Sequence, residues 1–232
     1  MQLTGKSILV LGGSGVLGAQ LSTDLIAQGA AVLATARTVD SAANIAPGVS
    51  TRLLLDFENP DSISVLAKYL IETEAPIDAV INATGVVAFG SLSELSSAAL
   101  ERLFAINTLG PIKIIQGLLP ALVKAAERGA EPFVVNITGV VAETPMAGMA
   151  AYSASKAAMF AFDQAAGREL KKLGIRVIDA RPGHTETGLA GRAIEGSPPA
   201  FAPGMAPAQV SARIIRAILN GETSLPASEF TS

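Results

Sequence analysis

Tyr152-Ser153-Ala154-Ser155-Lys156 places a phenol and an ammonium four residues apart, the spacing that sets two side chains on one helix face. A free phenol ionises near pH 10, at about 10, too high for easy proton exchange at neutrality. A lysine cation beside it favours the phenolate and lowers that value. The pair therefore suits acid/base work on an oxygen atom. The same spacing also serves a plain solvated Tyr–Lys pair, so other segments must decide. His184 is the only histidine and there is no cysteine, which removes disulfides, thiolate metal sites and a cysteine nucleophile. A Ser-His-Asp hydrolase would have to run through His184, and no Gly-x-Ser-x-Gly elbow follows a strand. No metal site is expected.

A scaffold must hold such a pair over a substrate, and the chain reads as one built for that. Ser7 to Leu11 is a short apolar run that meets Gly12-Gly13-Ser14-Gly15, after which Val16, Leu17, Leu21, Leu25 and Ile26 fall at helical spacing. Further apolar strands are predicted at Ala31 to Ala36, Arg52 to Leu55, Ile77 to Ile81, Phe133 to Ile137 and Ile175 to Ala180. Helices are predicted from Asn59-Pro60-Asp61 to about Glu74, over Leu95 to Lys124 with Gly110-Pro111 and Pro120 as interruptions, and over Ala150 to Leu173. Ser224 to Phe230 is the material left for a seventh strand. Strand-helix alternation with nearly continuous apolar strands predicts an α/β fold: a doubly wound, Rossmann-type parallel sheet of six to seven strands with helices on both faces. The 232 residues suit a single domain, 1–232. The stretch 188–207 ends in a Pro-, Ala- and Gly-rich run from Gly196 to Pro207 and reads as a mobile flap over the substrate.

Gly12, Gly15 and Gly18 follow the first strand and open the first helix, so backbone can approach a pyrophosphate resting on helix N–H groups. Arg37, at the end of the second strand, stands where dinucleotide folds often carry an acid for the ribose 2′-hydroxyl. A cation there suits a 2′-phosphate, which favours NADP(H) over NAD(H), although Arg37 also reads as a surface charge.

A net charge of −3 and the lack of any basic run argue against nucleic acid. The short apolar run ending at Leu11 fits neither a signal peptide nor a membrane span, so no membrane partner and a soluble cytoplasmic protein are expected. Half the residues are hydrophobic and only 16% are charged, so much of the chain must be buried in its own core or between subunits.

With Gly12 to Gly18, Asp56, Asn82-Ala83-Thr84-Gly85, Asn107, Tyr152-x-x-x-Lys156 and Pro182-Gly183-x-x-x-Thr187 in this order, the chain resembles the single-domain short-chain dehydrogenase/reductases. The resemblance covers residues 5 to about 220. It implies that Tyr152 is the general acid/base, that Lys156 lowers its pKa and binds the nicotinamide ribose, and that Asn107 anchors a proton-passing water. It further implies cofactor contacts from Ser14, Val16 and Leu17 in the turn, Asp56 and Phe57 at the adenine, Asn82, Ala83 and Gly85 after the fourth strand, and Pro182, Gly183, Thr185 and Thr187 at the nicotinamide. A homodimer or homotetramer follows by the same analogy, through the apolar stretches Ala99 to Leu122 and Ala157 to Leu170.

Two departures stand out. Val16 occupies the place of the middle glycine in the turn. The family's substrate-binding serine lies thirteen residues before the tyrosine, and 152 − 13 = 139 is Gly139. Thr138 can supply the hydroxyl only if the strand has ended or bulges there. Thr144 and His184 are the other candidates, although His184 reads more simply as a loop residue bonded to backbone. Val86, Val87, Phe89, Met146, Met149, Leu189, Ile194, Phe201 and Met205 make an apolar rim that suits a lipophilic ketone or secondary alcohol. The expected reaction is reversible hydride transfer between NADPH and such a small molecule. The alternative, motivated by Gly139, is a catalytically weak or inactive NADP(H)-binding sensor or scaffold.

Overall fold

The computed structural model describes residues 1–230. Seven parallel strands, β1 (Ser7–Leu11), β2 (Ala31–Ala36), β3 (Thr51–Leu54), β4 (Ala79–Asn82), β5 (Phe133–Ile137), β6 (Arg176–Ala180) and β7 (Ser224–Leu225), form one sheet in the order β3-β2-β1-β4-β5-β6-β7. The order reverses between β1 and β4, and the crevice at the carboxyl ends of these strands is where such sheets bind ligands. The central strands β1 and β4 are buried at every position, which explains their unbroken apolar runs. The seventh strand does form, as two residues held to β6 by Asp179 N–H to Thr223 O (3.1 Å) and Arg181 N–H to Leu225 O (2.9 Å).

Helices α1 (Val16–Ala27) and α7 (Pro207–Asn220) cover one face, packing Leu21, Leu25, Ile214 and Ile218 onto Val10, Ile81 and Val135. Helices α3 (Pro60–Glu72), α5 (Gly110–Glu127) and α6 (Ala150–Leu170) cover the other, with Leu66, Leu70, Ile114, Leu118 and Met159 on Leu9 and Val80. Two short elements complete the set: α2 (Val39–Ala42), capped by Thr38, and α4 (Ser97–Phe104), capped by Ser96, whose hydroxyl accepts from Ala99 N–H at 3.1 Å.

The predicted helix over Leu95 to Lys124 is one continuous run, Ser97–Glu127, of α4, a π-helical turn at Ala105–Leu109, and α5. Pro120 does not interrupt it. Pro120 lies on the exposed side, and the carbonyl it leaves unbonded belongs to Gln116, also exposed, where water can serve it. This run is long and apolar enough to cross a membrane by length and composition, but its apolar face, including Ile114, Leu118 and Leu122, is buried against the sheet.

The stretch 188–207, expected as a mobile flap, is stitched to the loop after β4. Ile194 N–H donates to Val87 O at 2.8 Å and Phe89 N–H to Glu195 O at 2.9 Å. The Glu195 carboxylate accepts from Ser96 N–H at 2.7 Å, at the start of α4. Gly196 passes so close to Phe89 that a Cβ there would lie 1.9 Å from its carbonyl oxygen.

Candidate active site

A cleft of about 800 Å³ opens at the carboxyl ends of the strands. Its floor begins with the glycine turn. Gly12 has φ +74°, and a Cβ on Gly18 would stand 2.2 Å from Gly12 O, so only glycine lets α1 close onto the turn. Gly12 N–H donates to Thr35 Oγ1 at 3.0 Å. Gly15 is the N-cap of α1 and offers no side-chain cap, which leaves the first-turn N–H groups facing the cleft with no protein acceptor from the cap. That arrangement fits a pyrophosphate. Gly15, Val16 and Leu17 line the cleft, whereas Gly12, Gly18 and Ser14 shape the turn behind it.

Across the cleft α6 presents Tyr152 and Lys156, both lining it. Lys156 is buried and its Nζ donates to Ile137 O at 2.9 Å, at the end of β5. Gly85 gives it room: a Cβ on Gly85 would lie 3.3 Å from Lys156 Nζ and 3.5 Å from Asn107 Oδ1. Asn107 sits in the π-turn, 1% exposed. Its Oδ1 accepts from Val86 N–H at 2.9 Å, and its Nδ2 donates to Val86 O at 2.9 Å and to Ser155 Oγ at 3.0 Å. The structure thus brings Tyr152, Lys156, Asn107 and Gly85 together. Ser155 and Thr108, whose hydroxyl donates to Ser155 O at 2.8 Å, also lock the two helices, and sequence reasoning missed both. The signal was available in the π-turn's neighbour Gly110-Pro111, but not its partner.

The expected lowering of the Tyr152 phenol is not what the structure shows. Burial pushes the phenol up to about 12, and the same burial lowers the Lys156 ammonium to about 8 against the pull of Asp179 and Asp163. The phenol packs among Val87, Phe89, Val141 and Met149, apolar surroundings that disfavour the phenolate. At neutral pH Tyr152 is therefore a protonated donor and Lys156 remains a cation.

Thr138 is the residue the structure redirects. The strand has ended before it, since β5 stops at Ile137, and both Thr138 N–H (2.9 Å) and Gly139 N–H (3.2 Å) donate to Ala180 O. Yet the Thr138 hydroxyl is fully buried and donates to Asp179 Oδ1 at 2.5 Å, so it does not point a free hydrogen into the cleft. Gly139 has φ +81° and ψ 161°, a conformation held essentially by glycine alone. Thr144 is exposed and lies outside the cleft lining. His184 lines the cleft, but its ring stacks on Phe201 at 4.8 Å and its Nε2 lies 3.6 Å from Glu186 Oε1.

Beneath the site runs a buried polar chain. Asn136 Nδ2 donates to Asp163 Oδ1 at 2.6 Å, Asn82 Nδ2 donates to Asn136 Oδ1 at 3.2 Å, and Asn82 Oδ1 accepts from Thr84 N–H at 3.2 Å. Asn82 therefore shapes the turn rather than lining the cleft, while Ala83 and Gly85 line it. Asp163 Oδ2 is buried without a partner, and burial pushes this carboxyl well above its ordinary range. Asp179 also bonds Arg181, whose Nε donates to Glu143 Oε2 at 2.6 Å.

Pro182, Gly183, Thr185 and Thr187 line the far wall, with Thr185 Oγ1 donating to Gly183 O at 3.0 Å. Of the apolar rim, Val87, Phe89, Met146, Met149, Leu189, Phe201 and Met205 line the cleft. Val86 and Ile194 do not; their backbones hold Asn107 and the flap. Arg37, Asp56 and Phe57 also lie outside it, toward the β2–β3 edge. Arg37 is exposed, Asp56 Oδ1 accepts from Glu58 N–H at 3.0 Å, and the Phe57 ring is buried against Gly110.

A doubly wound sheet with a glycine turn and a Tyr-x-x-x-Lys helix facing one cleft defines a dinucleotide-dependent oxidoreductase scaffold. Residues 6–197 match the family described as short chain dehydrogenase, and the chain belongs to that family. It is 28% identical over 230 residues to the ketoacyl reductase HetN of Nostoc, covering 96% of this chain and 78% of that one. It is 32% identical over 183 residues to the uncharacterized oxidoreductase YbbO of Escherichia coli, covering 78% of this chain and 66% of that one. A short-chain dehydrogenase from Burkholderia cenocepacia in complex with NADP superposes with a TM-score of 0.82 at 25% identity, over 98% of this chain and 90% of that one.

Proposed function

We propose that the protein reversibly reduces a lipophilic small-molecule ketone to a secondary alcohol with a nicotinamide cofactor, NADPH in preference to NADH. The carrying observation is that Tyr152, Lys156 and the glycine turn share one cleft with an apolar rim. When bound, the cofactor supplies the hydride. Tyr152 holds the proton and gives it to the substrate oxygen, and its high phenol pKa keeps that proton in place at neutrality. Lys156, fixed on Ile137 O, supplies a positive charge that favours the reaction's developing oxyanion. Asn107 positions the α6 pair through Ser155, whose hydroxyl donates to Tyr152 O. The α1 N-terminus would hold the pyrophosphate, Asp56 the adenine, Arg37 the 2′-phosphate and Thr187 the carboxamide. Val87, Phe89, Met149 and Phe201 exclude water and orient the substrate by shape. Exposed Leu100 and Leu109 on the long helix support assembly as a homodimer or homotetramer.

A second reading, a protein that binds NADP(H) without turnover, is favoured by one observation: the serine position is Gly139 in a glycine-only conformation, and the adjacent Thr138 hydroxyl is spent on Asp179. The test is NADPH binding by calorimetry beside NADPH oxidation across a panel of apolar ketones. Turnover supports the reductase, binding alone supports the second reading, and failure to bind either NADPH or NADH overturns both.

A further inference from the structure

Four charged side chains meet at the β2–β3 edge. Arg37 follows β2, and its Nη1 lies 3.8 Å from Glu58 Oε2, beyond hydrogen-bond reach. Glu58 follows β3 on one turn with Asp56, to which its backbone N–H donates. Arg102, on α4, closes a fork on the same carboxylate: Nε donates to Oε1 at 2.7 Å and Nη2 to Oε2 at 3.1 Å. Arg37 is the more exposed of the two cations, with 61% of its side chain in solvent.

A carboxylate gripped by both oxygens is already satisfied. Were Arg102 absent, the nearest cation left to Glu58 would be Arg37, and its guanidinium would turn from solvent to the carboxylate. The charge balance points the same way. Arg37 and Arg102 together match Asp56 and Glu58, and without Arg102 the corner carries one excess negative charge. A phosphate monoester, with about −1.5 to −2 charges, would be repelled there, whereas a ribose diol would be indifferent.

We propose that Arg102 is a positioning residue for cofactor choice: by holding Glu58 it leaves Arg37 free for a 2′-phosphate, the group that separates NADP(H) from NAD(H). This rests on the NADP(H) reading above. Nothing in the Arg37 position alone reveals it, because Arg102 lies 44 residues from Glu58 in the chain.

Calorimetric titration of NADPH and NADH into the native protein, Arg102→Ala, and the double variant Arg102→Ala/Glu58→Gln tests it. Arg102→Ala weakens NADPH by about fivefold to tenfold and leaves NADH within about twofold, and adding Glu58→Gln restores NADPH to within about twofold of native. Equal weakening of both cofactors, no weakening, or no restoration in a double variant that melts like native overturns the proposal. A native protein that prefers NADH, or binds neither, overturns the NADP(H) reading itself and this proposal with it.

Discussion

Asn107 Nδ2 donates to Ser155 Oγ at 3.0 Å and so ties the π-turn of the long helix to the residue just before Lys156. The same side chain closes both polar groups of Val86, so its loss orphans a part-buried N–H and a part-buried carbonyl at once. Asn107→Ala is expected to lower stability by about 2–4 kcal/mol in urea unfolding and to cut kcat more than it raises KM for substrate. Unchanged unfolding would show that the π-turn needs no such anchor.

Restoring the family's serine is expected to fail. A Cβ on Gly139 has space, its nearest neighbour being Pro182 O at 3.7 Å, but φ +81° with ψ 161° penalises any side chain. Gly139→Ser should lose about 1–3 kcal/mol and show no gain in rate. A thermal melt beside the ketone assay checks it, and a stable, faster variant would mean that the loop adopts another conformation.

Asp163 should make the fold less stable as pH rises. Its folded-state pKa is raised by burial, so the stability it contributes is full below the unfolded value, about 4, and is lost as pH climbs toward the folded value. Asp163→Asn keeps the acceptor for Asn136 and removes the titration. The variant is expected to be more stable than native by about 1–3 kcal/mol at pH 8 and to lose that advantage at pH 4. Equilibrium unfolding at the two pH values measures the crossover.

Ketone reduction needs a protonated Tyr152 and a charged Lys156. With the phenol near 12 and the ammonium near 8, the rate should be level through neutrality and fall about tenfold per unit above pH 8. The group lost first is the lysine, so Lys156→Arg, which keeps its charge, should extend the plateau even at a lower absolute rate. A fall beginning below pH 7 in the native protein would point to a different titrating group.

Much of the architecture is legible in the chain because it rests on local signals. Apolar runs such as Ile8 to Leu11 and the glycine-terminated helices set the alternation, and buried parallel strands carry that pattern without polar breaks. The α6 pair is legible because four residues make one helical turn. What escapes is whatever depends on a distant partner. The Thr138 hydroxyl is committed to Asp179, 41 residues on. Within 188–207, Ile194 and Glu195 bond to Val87 and Phe89, more than a hundred residues earlier. Pro120 reads as a breaker, yet tertiary packing of Leu118 and Leu122 carries the helix through it. Asp163, two turns beyond Lys156, carries no local signal of its burial, which only the fold reveals.

Whether the Tyr152 hydroxyl donates the proton is tested by Tyr152→Phe, with NADPH affinity and ketone-dependent NADPH oxidation measured on the same preparation. Binding is expected to stay within about threefold of native while turnover falls by about 10²-fold or more, because the ring packing survives and only the transferable proton is gone. Turnover at the native rate would contradict it.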